Sequence, residues 1–424
     1  MSSLTYYHAS ATEPFPRAPQ LTEPITTDVC VIGGGYTGLS AALHLARNGA
    51  SVALLEASRI ADGASGRNGG QVHNGFRHEP QWFESRVGAD FARQIWSLGL
   101  EAREHLDWLI RTYDIDAQYR PGLLHLCHKR SYVEEARTYV SEIMRRHPGA
   151  GLRFIDLNEA RSLVSSNDYY GGYLDEHSGH LHALNLALGI ARAAKQHGAR
   201  LFELSAATRL TRVAKGWEVQ TQSASVKAAS VVLAGNGYLR HLQPVVEARV
   251  MPINNFVLAT EPLGREAAEQ LIRGGRAVSD SRFVVYYFRI TPDDRLLFGG
   301  GETYSYKFPK NIAGMVRGHM LHVFPQLRAT RIEHAWGGTL AVTTSRLPLV
   351  REIEPGLFNA SGFSGQGIVA APFAGKAIAA AIGGDRGSFD LLARFPVSRF
   401  PGGRYLRWPL LVAAMSWYAL RDHL

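Results

Sequence analysis

Gly33-Gly34-Gly35-Tyr36-Thr37-Gly38 has the spacing GxGxxG, and Glu56 follows Gly38 by eighteen residues. Glycine at the first place permits a tight turn. At the second it lets backbone approach a pyrophosphate, and at the third it lets a helix pack close to a strand. The helix opening there presents unpaired N–H groups and a positive dipole end to phosphates. An acid at the place of Glu56 accepts hydrogen bonds from ribose hydroxyls and repels a 2′-phosphate, which argues against NADP. GxGxxG arises by chance in a chain with 43 glycines. The weight lies in its context, a strand before it, a helix after it and the acid beyond. FAD and NAD share this fingerprint.

Two further glycine-rich runs bear on that choice. Gly63-Ala64-Ser65-Gly66-Arg67-Asn68-Gly69-Gly70-Gln71 begins seven residues past Glu56. Its backbone donors can lie along a pyrophosphate and a ring system; the alternative is a solvated loop. Gly362-Phe363-Ser364-Gly365-Gln366-Gly367 leads into an apolar helix. That helix N-terminus can stabilise negative charge on a reduced flavin. It is no nucleophile elbow, since GxSxG needs glycine where Gln366 stands.

Other candidates are less sharp. Tyr286, Tyr287 and Arg289 share a predicted strand, and alternation puts Tyr287 and Arg289 on one face. They read as a substrate-pocket wall with Arg289 as a carboxylate clamp, or as a half-exposed strand with a surface arginine. Arg346 reads as a group near the cofactor or as a domain-boundary ion pair. His177, His180 and His182 form HxxHxH with no cysteine or second cluster beside them, so a satisfied turn is expected and no metal. Cys30 and Cys127 lie in the apolar contexts DVCVI and LHLCH and read as small buried hydrophobes. That usage fits a reducing compartment, here taken as the cytoplasm.

These groups need a scaffold. TDVCVIGGG reads as a buried strand running into a turn, and TGLSAALHLARNG as a helix with Leu39, Ala42, Leu43 and Ala46 at helical spacing and Gly49 as its stop. SVALLEAS is a second strand, completing a β-α-β unit of a doubly wound sheet. Pro14, Pro16, Pro19 and Pro24 predict a polar lead-in without regular helix over residues 1–27. Helical patterns cover Glu84–Tyr113, Ser131–Arg146 and Leu184–Gly198. YRPGLLHLCH, ARLFEL, GWEVQTQ and KAASVVLAGNG read as strands. The strand-rich stretch Met251–Gly301 predicts an antiparallel sheet. The fold class is α/β: a Rossmann-type FAD-binding domain from residues 27–80, 151–240 and 341–424, and an α+β, discontinuous antiparallel-sheet substrate domain from 81–150 and 241–340.

Net charge is +9. The basic residues are scattered with no Lys/Arg-rich run, which argues against nucleic acid as a partner and for solvated surface plus some positive field near an anionic cofactor. No secretory leader is expected at the N-terminus. No run reaches the ~20 apolar residues of an integral membrane segment. Trp408–Leu420 reads as a C-terminal helix packed on the body. A second reading makes it a peripheral membrane contact, with Arg394, Arg399, Arg404 and Arg407 upstream.

DVCVIGGGYTGLSAALHLA, LEASRIADGASGRNGGQ, SGHLHALNLALG, VVLAGNGYL, RLLFGGGETY, FPQL and the terminal FPGGRYLRWP…LRDHL together resemble the glycine oxidase and D-amino-acid oxidase superfamily of FAD-dependent amine and amino-acid oxidoreductases. Within it the likeness is to the gamma-glutamylputrescine-oxidase-like subgroup, over nearly the whole chain. ASGRNGGQ with FPGGR is specific to that subgroup, whereas GxGxxG is not. The resemblance implies non-covalent FAD held by Gly33, Gly35, Tyr36, Thr37, Gly38, Glu56 and Ala57. It adds Ser65, Gly66, Arg67, Asn68, Gly69, Gly70 and Gln71 from the second run, Ala207 and Gly235, and Gly362, Ser364, Gly365, Gln366, Gly367 and Ile368 from the third. Tyr287, Arg289, Arg346 and Gln366 are the expected substrate-side residues.

The implied reaction is hydride transfer from an amine carbon to flavin N5, then hydrolysis of the imine, with O2 or another electron acceptor. The implied substrate is a small amine, a gamma-glutamylated polyamine such as gamma-glutamylputrescine. L-pipecolate or another imino or amino acid is the alternative, and a non-catalytic flavin- or NAD-binding protein is the reading of another class. Some features depart from the family. Relatives usually carry histidine where Gln366 stands, some have a lysine on the strand matching Arg295–Phe298, and Asn254-Asn255-Phe256 differs from polyamine-type members.

Overall fold

The strand Ile25–Ile32 has a continuous apolar end, Val29 to Ile32, buried throughout. Such a run marks a strand covered on both faces. It pairs in parallel with Val52–Leu55 on one side and Ser225–Leu233 on the other. The full order of this sheet is Leu349–Glu354, Leu357–Ser361, Ser225–Leu233, Ile25–Ile32, Val52–Leu55, Arg200–Phe202. An antiparallel extension, Arg209–Val213 with Gly216–Gln220, runs from Ser225–Leu233. These are the elements of a computed structural model that describes residues 5–403 except 16, 240 and 304–306, together with 409. The expected helix Trp408–Leu420, apart from Pro409, lies outside the described residues, as do Arg404 and Arg407.

Helix Tyr36–Arg47 packs between Gly367–Ile382 and Ala183–Gln196. Its approach is set by glycine. A Cβ at Gly38 would overlap the Gly33 carbonyl oxygen, and one at Gly375 would overlap that of Thr37. Ser40 Oγ donates to Pro372 O at 2.6 Å across the same contact. Among the described residues no single helix is long and apolar enough to cross a membrane.

The second sheet has the order Ile332–Val342, Met251–Thr260, Leu296–Thr303, Tyr287–Ile290, Ala277–Asp280, Arg120–Leu126, Gly172–His180, Gln71–Val72. Leu152–Ile155 pairs with Gly172–His180. The pairing is antiparallel except between Ala277–Asp280 and Arg120–Leu126, which run parallel. The strands from Met251 to Thr303 pair antiparallel with one another, as expected, and the one parallel pair joins them to Arg120–Leu126. The long connection between those two strands gives the crossover that parallel pairing needs.

Two segments change sides relative to the sequence reading. Residues 151–180 carry strands of the second sheet, not the first. Helix Ala89–Thr112 instead packs on Gly367–Ile382 and Gly387–Ala393, on the first sheet's side. Its apolar stripe of Phe91, Ile95, Leu98, Ala102, Leu106 and Leu109 is buried. Periodicity reveals such a stripe but not which core receives it. The single helix expected over Glu84–Tyr113 is two, Pro80–Val87 and Ala89–Thr112, broken at Gly88 with φ +86°.

The polar lead-in is also corrected. Tyr6–Ser10 form a helical turn capped by Thr5, whose side chain accepts from His8 N. The prolines begin only at Pro14, so they leave this turn free to form. Tyr7 is fully buried. Tyr6 OH donates to Asp293 at 2.7 Å, and Thr12 N donates to Asn185 Oδ1 at 3.1 Å. The segment therefore ties a turn of the second sheet to helix Ala183–Gln196.

His44 Nε2 and His105 Nε2 share a hydrogen bond of 2.8 Å between Tyr36–Arg47 and Ala89–Thr112, with Trp108 stacked on His44. Burial pushes His44 down to about 3 and His105 to about 2. Both stay neutral in the fold and bind a proton only on unfolding. Their contribution is complete above the ordinary histidine value of about 6.5 and is lost as pH falls toward 3, by up to about 1.4 kcal/mol per pH unit for each proton. Thermal melts should be flat above pH 7 and fall below pH 6.5. The fall should be shallower in His105→Gln; an unchanged slope would remove the pair from the account.

Candidate active site

The three glycine turns, far apart in sequence, line one cavity of about 540 Å³. The first turn is pressed against the strand end at Ala234: Gly33 has φ +116°, and a Cβ there would sit 2.7 Å from the Ala234 carbonyl oxygen. Ser65 Oγ accepts from Tyr36 N at 3.0 Å, joining the first turn to the second. Glu56 accepts from Gly34 N at 2.7 Å and from Ser58 N at 2.8 Å. Burial raises its carboxyl above the ordinary value against the pull of those N–H groups. Gly33, Gly35, Tyr36, Thr37, Glu56, Ala57, Ala207 and Gly235 all line the cavity.

The second run shapes itself with its own side chains. Arg67 pairs with Asp62 at 2.7 Å and also donates to Asp62 O. Asn68 Nδ2 donates to Ala64 O and Ser65 O, and its Oδ1 accepts from Gly70 N. Gln71 Nε2 donates to Val278 O at 2.6 Å. Ser65, Arg67, Asn68, Gly69 and Gln71 line the cavity, as do Ser364, Gly365, Gln366, Gly367 and Ile368 of the third turn.

Gly38, Gly66, Gly70 and Gly362 do not line it and support it from behind. A Cβ at Gly66 would overlap Ala61 O. One at Gly70 would overlap Leu181 O, and one at Gly362 the Thr343 methyl.

Two helices open onto this cavity, with Gly35 and Gln366 as their N-caps, and neither N-cap side chain bonds its own helix. The first N–H groups of a helix lack intrahelical partners and favour negative charge. Such a donor set suits a ligand carrying negative charge at two separate places. A flavin dinucleotide does so, at its pyrophosphate and at the edge of its reduced ring. The residues present therefore fit FAD.

The substrate end departs further from the sequence reading. Tyr287 lines the cavity, donates to Asn255 Oδ1 at 2.5 Å, and lies so close to Gly69 and Gly299 that a Cβ on either would overlap its ring. Arg289 shares its face but not its exposure to the cavity. Only 2% exposed, it donates to Gly69 O at 3.1 Å, Tyr7 OH at 3.2 Å and Leu181 O at 3.3 Å. It is neither the expected clamp nor a surface residue. It braces the second glycine run from beneath.

The cavity's charged groups are others. Arg346 lines it from a left-handed backbone position, φ +60°, unusual for a side chain this large. Its guanidinium lies 5.5 Å over the Phe283 ring. Arg77, Glu302 and His73 also line the cavity and escaped the sequence reading. Arg77 and Glu302 stand beside glycines, in HNGFRHEP and FGGGE, where a charge at the end of a glycine-rich strand or turn is the signal that could have marked them. Burial, then the charge of Arg346, push Arg77 down to about 10. Burial raises Glu302 against the pull of both arginines, and holds His73 down at about 4 and hence neutral. Among the described residues neither Arg77 nor Arg346 has an ion-pair partner within 4.0 Å.

Of the HxxHxH residues, His180 Nε2 bonds Gly275 O at 2.8 Å, and His182 Nδ1 accepts from Asn185 N at 3.0 Å as the cap of its helix. Among the described residues no group of three or more potential ligands could hold a metal. Cys30 and Cys127 are buried and do not line the cavity.

Comparison with known proteins agrees with this geometry. The family described as FAD dependent oxidoreductase (DAO) matches residues 28–381. The chain is 40% identical to gamma-glutamylputrescine oxidoreductase of Escherichia coli K12, over 99% of this chain and 98% of that one. It is 38% identical to the probable oxidoreductase OrdL of Rhizobium meliloti, over 99% and 97%. Glycine oxidase from Geobacillus kaustophilus shares the fold with a TM-score of 0.74 at 21% identity, covering 88% of this chain and 99% of that one.

Arg289→Met should cost about 1–3 kcal/mol of stability, the penalty for leaving buried partners unsatisfied. Flavin should be released at a lower temperature, read as yellow supernatant during a melt. An unchanged melt with selective loss of carboxylate-bearing substrates would reinstate the clamp.

Proposed function

We infer that this chain, which belongs to the DAO family of FAD-dependent oxidoreductases acting on amine and amino-acid C–N bonds, oxidises an amine that also carries a carboxylate, a gamma-glutamylated polyamine such as gamma-glutamylputrescine. The observation that carries the substrate class is the pair Arg77 and Arg346, two arginines without ion-pair partners among the described residues, on the cavity that the glycine turns line. Guanidinium groups facing a cavity bind carboxylates through charge-assisted hydrogen bonds. The relative 40% identical over the full chain supports the same substrate.

FAD, once bound, supplies the two-electron acceptor for the hydride that leaves the amine carbon. The rest falls to the protein. Arg77 and Arg346 hold the carboxylate and so fix one end of the substrate. The amine at the far end reacts in its neutral form, with its lone pair available. Tyr287, clamped between Gly69 and Gly299, is a rigid wall that orients the chain between the two ends. The amine loses a hydride from carbon and a proton from nitrogen to give an imine, which water converts to a carbonyl compound and a released amine or ammonia. Gln366, its side chain uncommitted as a helix cap, is offered to the cofactor. FAD is held without a covalent bond to sulfur, since neither cysteine reaches the cavity. O2 or another acceptor takes the electrons onward. Two buried free thiols suit a reducing compartment, the cytoplasm.

Anaerobic addition of gamma-glutamylputrescine should bleach the yellow absorbance at lower concentration than putrescine, proline or pipecolate. Arg346→Met should raise KM for it about 10- to 100-fold with little change in kcat, matching ~1.5–3 kcal/mol for a hydrogen bond to a charged group. A spectrum that stays oxidised across the panel overturns the proposal. Bleaching by pipecolate or proline alone moves it to an imino acid.

A further inference from the structure

Glu302 is a carboxylate placed on the cavity by an irregularity in its strand. In the pairing of Met251–Thr260 with Leu296–Thr303, Val257 faces Gly299 while Asn255 faces Glu302. One residue between them on the first strand thus faces two on the other. Strict alternation from Gly299, whose face is that of Tyr287, would turn Glu302 away. The extra residue restores it to the cavity face, and Gly301 with φ +80° makes the bulge feasible. A bulge of this kind re-aims a side chain. Asn255 ties the corner together, donating to Gly301 O at 3.3 Å and accepting from Tyr287 OH.

The carboxylate so placed is half-buried and, among the described residues, forms neither a side-chain hydrogen bond nor an ion pair, although Arg77 and Arg346 line the same cavity. A counter-ion for those arginines would close on one of them. Groups of opposite sign held open on one cavity match instead a ligand with two charges of its own.

We propose that Glu302, Arg77 and Arg346 form a subsite for a free α-amino-acid head group, Glu302 taking its ammonium and the arginines its carboxylate, so that the oxidised C–N bond lies at the other end of the substrate. This rests on the proposed function above and narrows it: the head is recognised as a zwitterion, and bare polyamines or acyl chains lacking either charge are poor ligands.

Three ethylamides that lack the amine beyond the amide bond isolate the head group. They are gamma-glutamylethylamide, glutaric acid monoethylamide without the ammonium, and 4-aminobutanoic acid ethylamide without the carboxylate. Calorimetric titration of the holoenzyme should show the first binding at least about tenfold tighter than either of the others, a difference of ~1.4 kcal/mol. Glu302→Gln should weaken the first and third at least about tenfold and leave the second unchanged or tighter. Glu302→Asp, which keeps the charge, should preserve the rank order and guards against a folding defect in the amide variant. Equal loss for all three ligands, or no advantage of the complete head, overturns the subsite. Failure of gamma-glutamylputrescine to reduce the flavin, with this binding pattern intact, would strike the oxidation reading and leave the subsite standing.

Discussion

Backbone meeting backbone without intervening side chains is the constraint on which the molecule turns. At Gly33, Gly38 and Gly375 there is no room for even one more carbon. Helix Tyr36–Arg47 can therefore sink against its strand and against Gly367–Ile382 until two helix N-termini open on the same cavity. The electrostatics follow from that closeness. Peptide dipoles converge where side-chain charges would be costly to bury, and a dianionic pyrophosphate can be met by N–H groups that need no counter-charge.

The first sheet was legible because its signals are local. Glycine spacing, an apolar strand, a periodic helix and an acid at a fixed distance are each written within about thirty residues. The turns at Gly63–Gln71 and Gly362–Gly367 were legible for the same reason. The second sheet resisted. Gly172–His180 looks like any half-buried strand, and nothing in its own residues says it will pair with Arg120–Leu126. Ala89–Thr112 advertises an apolar stripe but not its partner. Residues 5–13 were missed because the prolines beyond them dominated the reading, although Tyr6 and Tyr7 were an apolar signal in plain view.

Arginine made the hardest case. From sequence, Arg289 and Arg346 looked alike, one on a strand beside tyrosines and one in a loop. The fold separates them by what lies within reach. Arg289 meets carbonyl oxygens and a phenol and is spent on holding backbone. Arg346 and the unsuspected Arg77 meet open cavity. Which arginine is free to bind depends on contacts far away in sequence, and periodicity does not carry that information. Glu302 is subtler still, since its facing depends on one surplus residue in a ladder, and a sequence read by strict alternation sends it to the wrong side.

The turn at Tyr6–Ser10 has a consequence for how the chain is made. Tyr7 docks beneath Arg289, and Tyr6 reaches Asp293, yet some 280 residues separate each pair. During synthesis these two tyrosines emerge long before the pocket that receives them exists. They must wait, exposed and apolar, while most of the polypeptide is assembled behind them. Completion of the native state is gated by the return of a segment made some 280 residues before its partners.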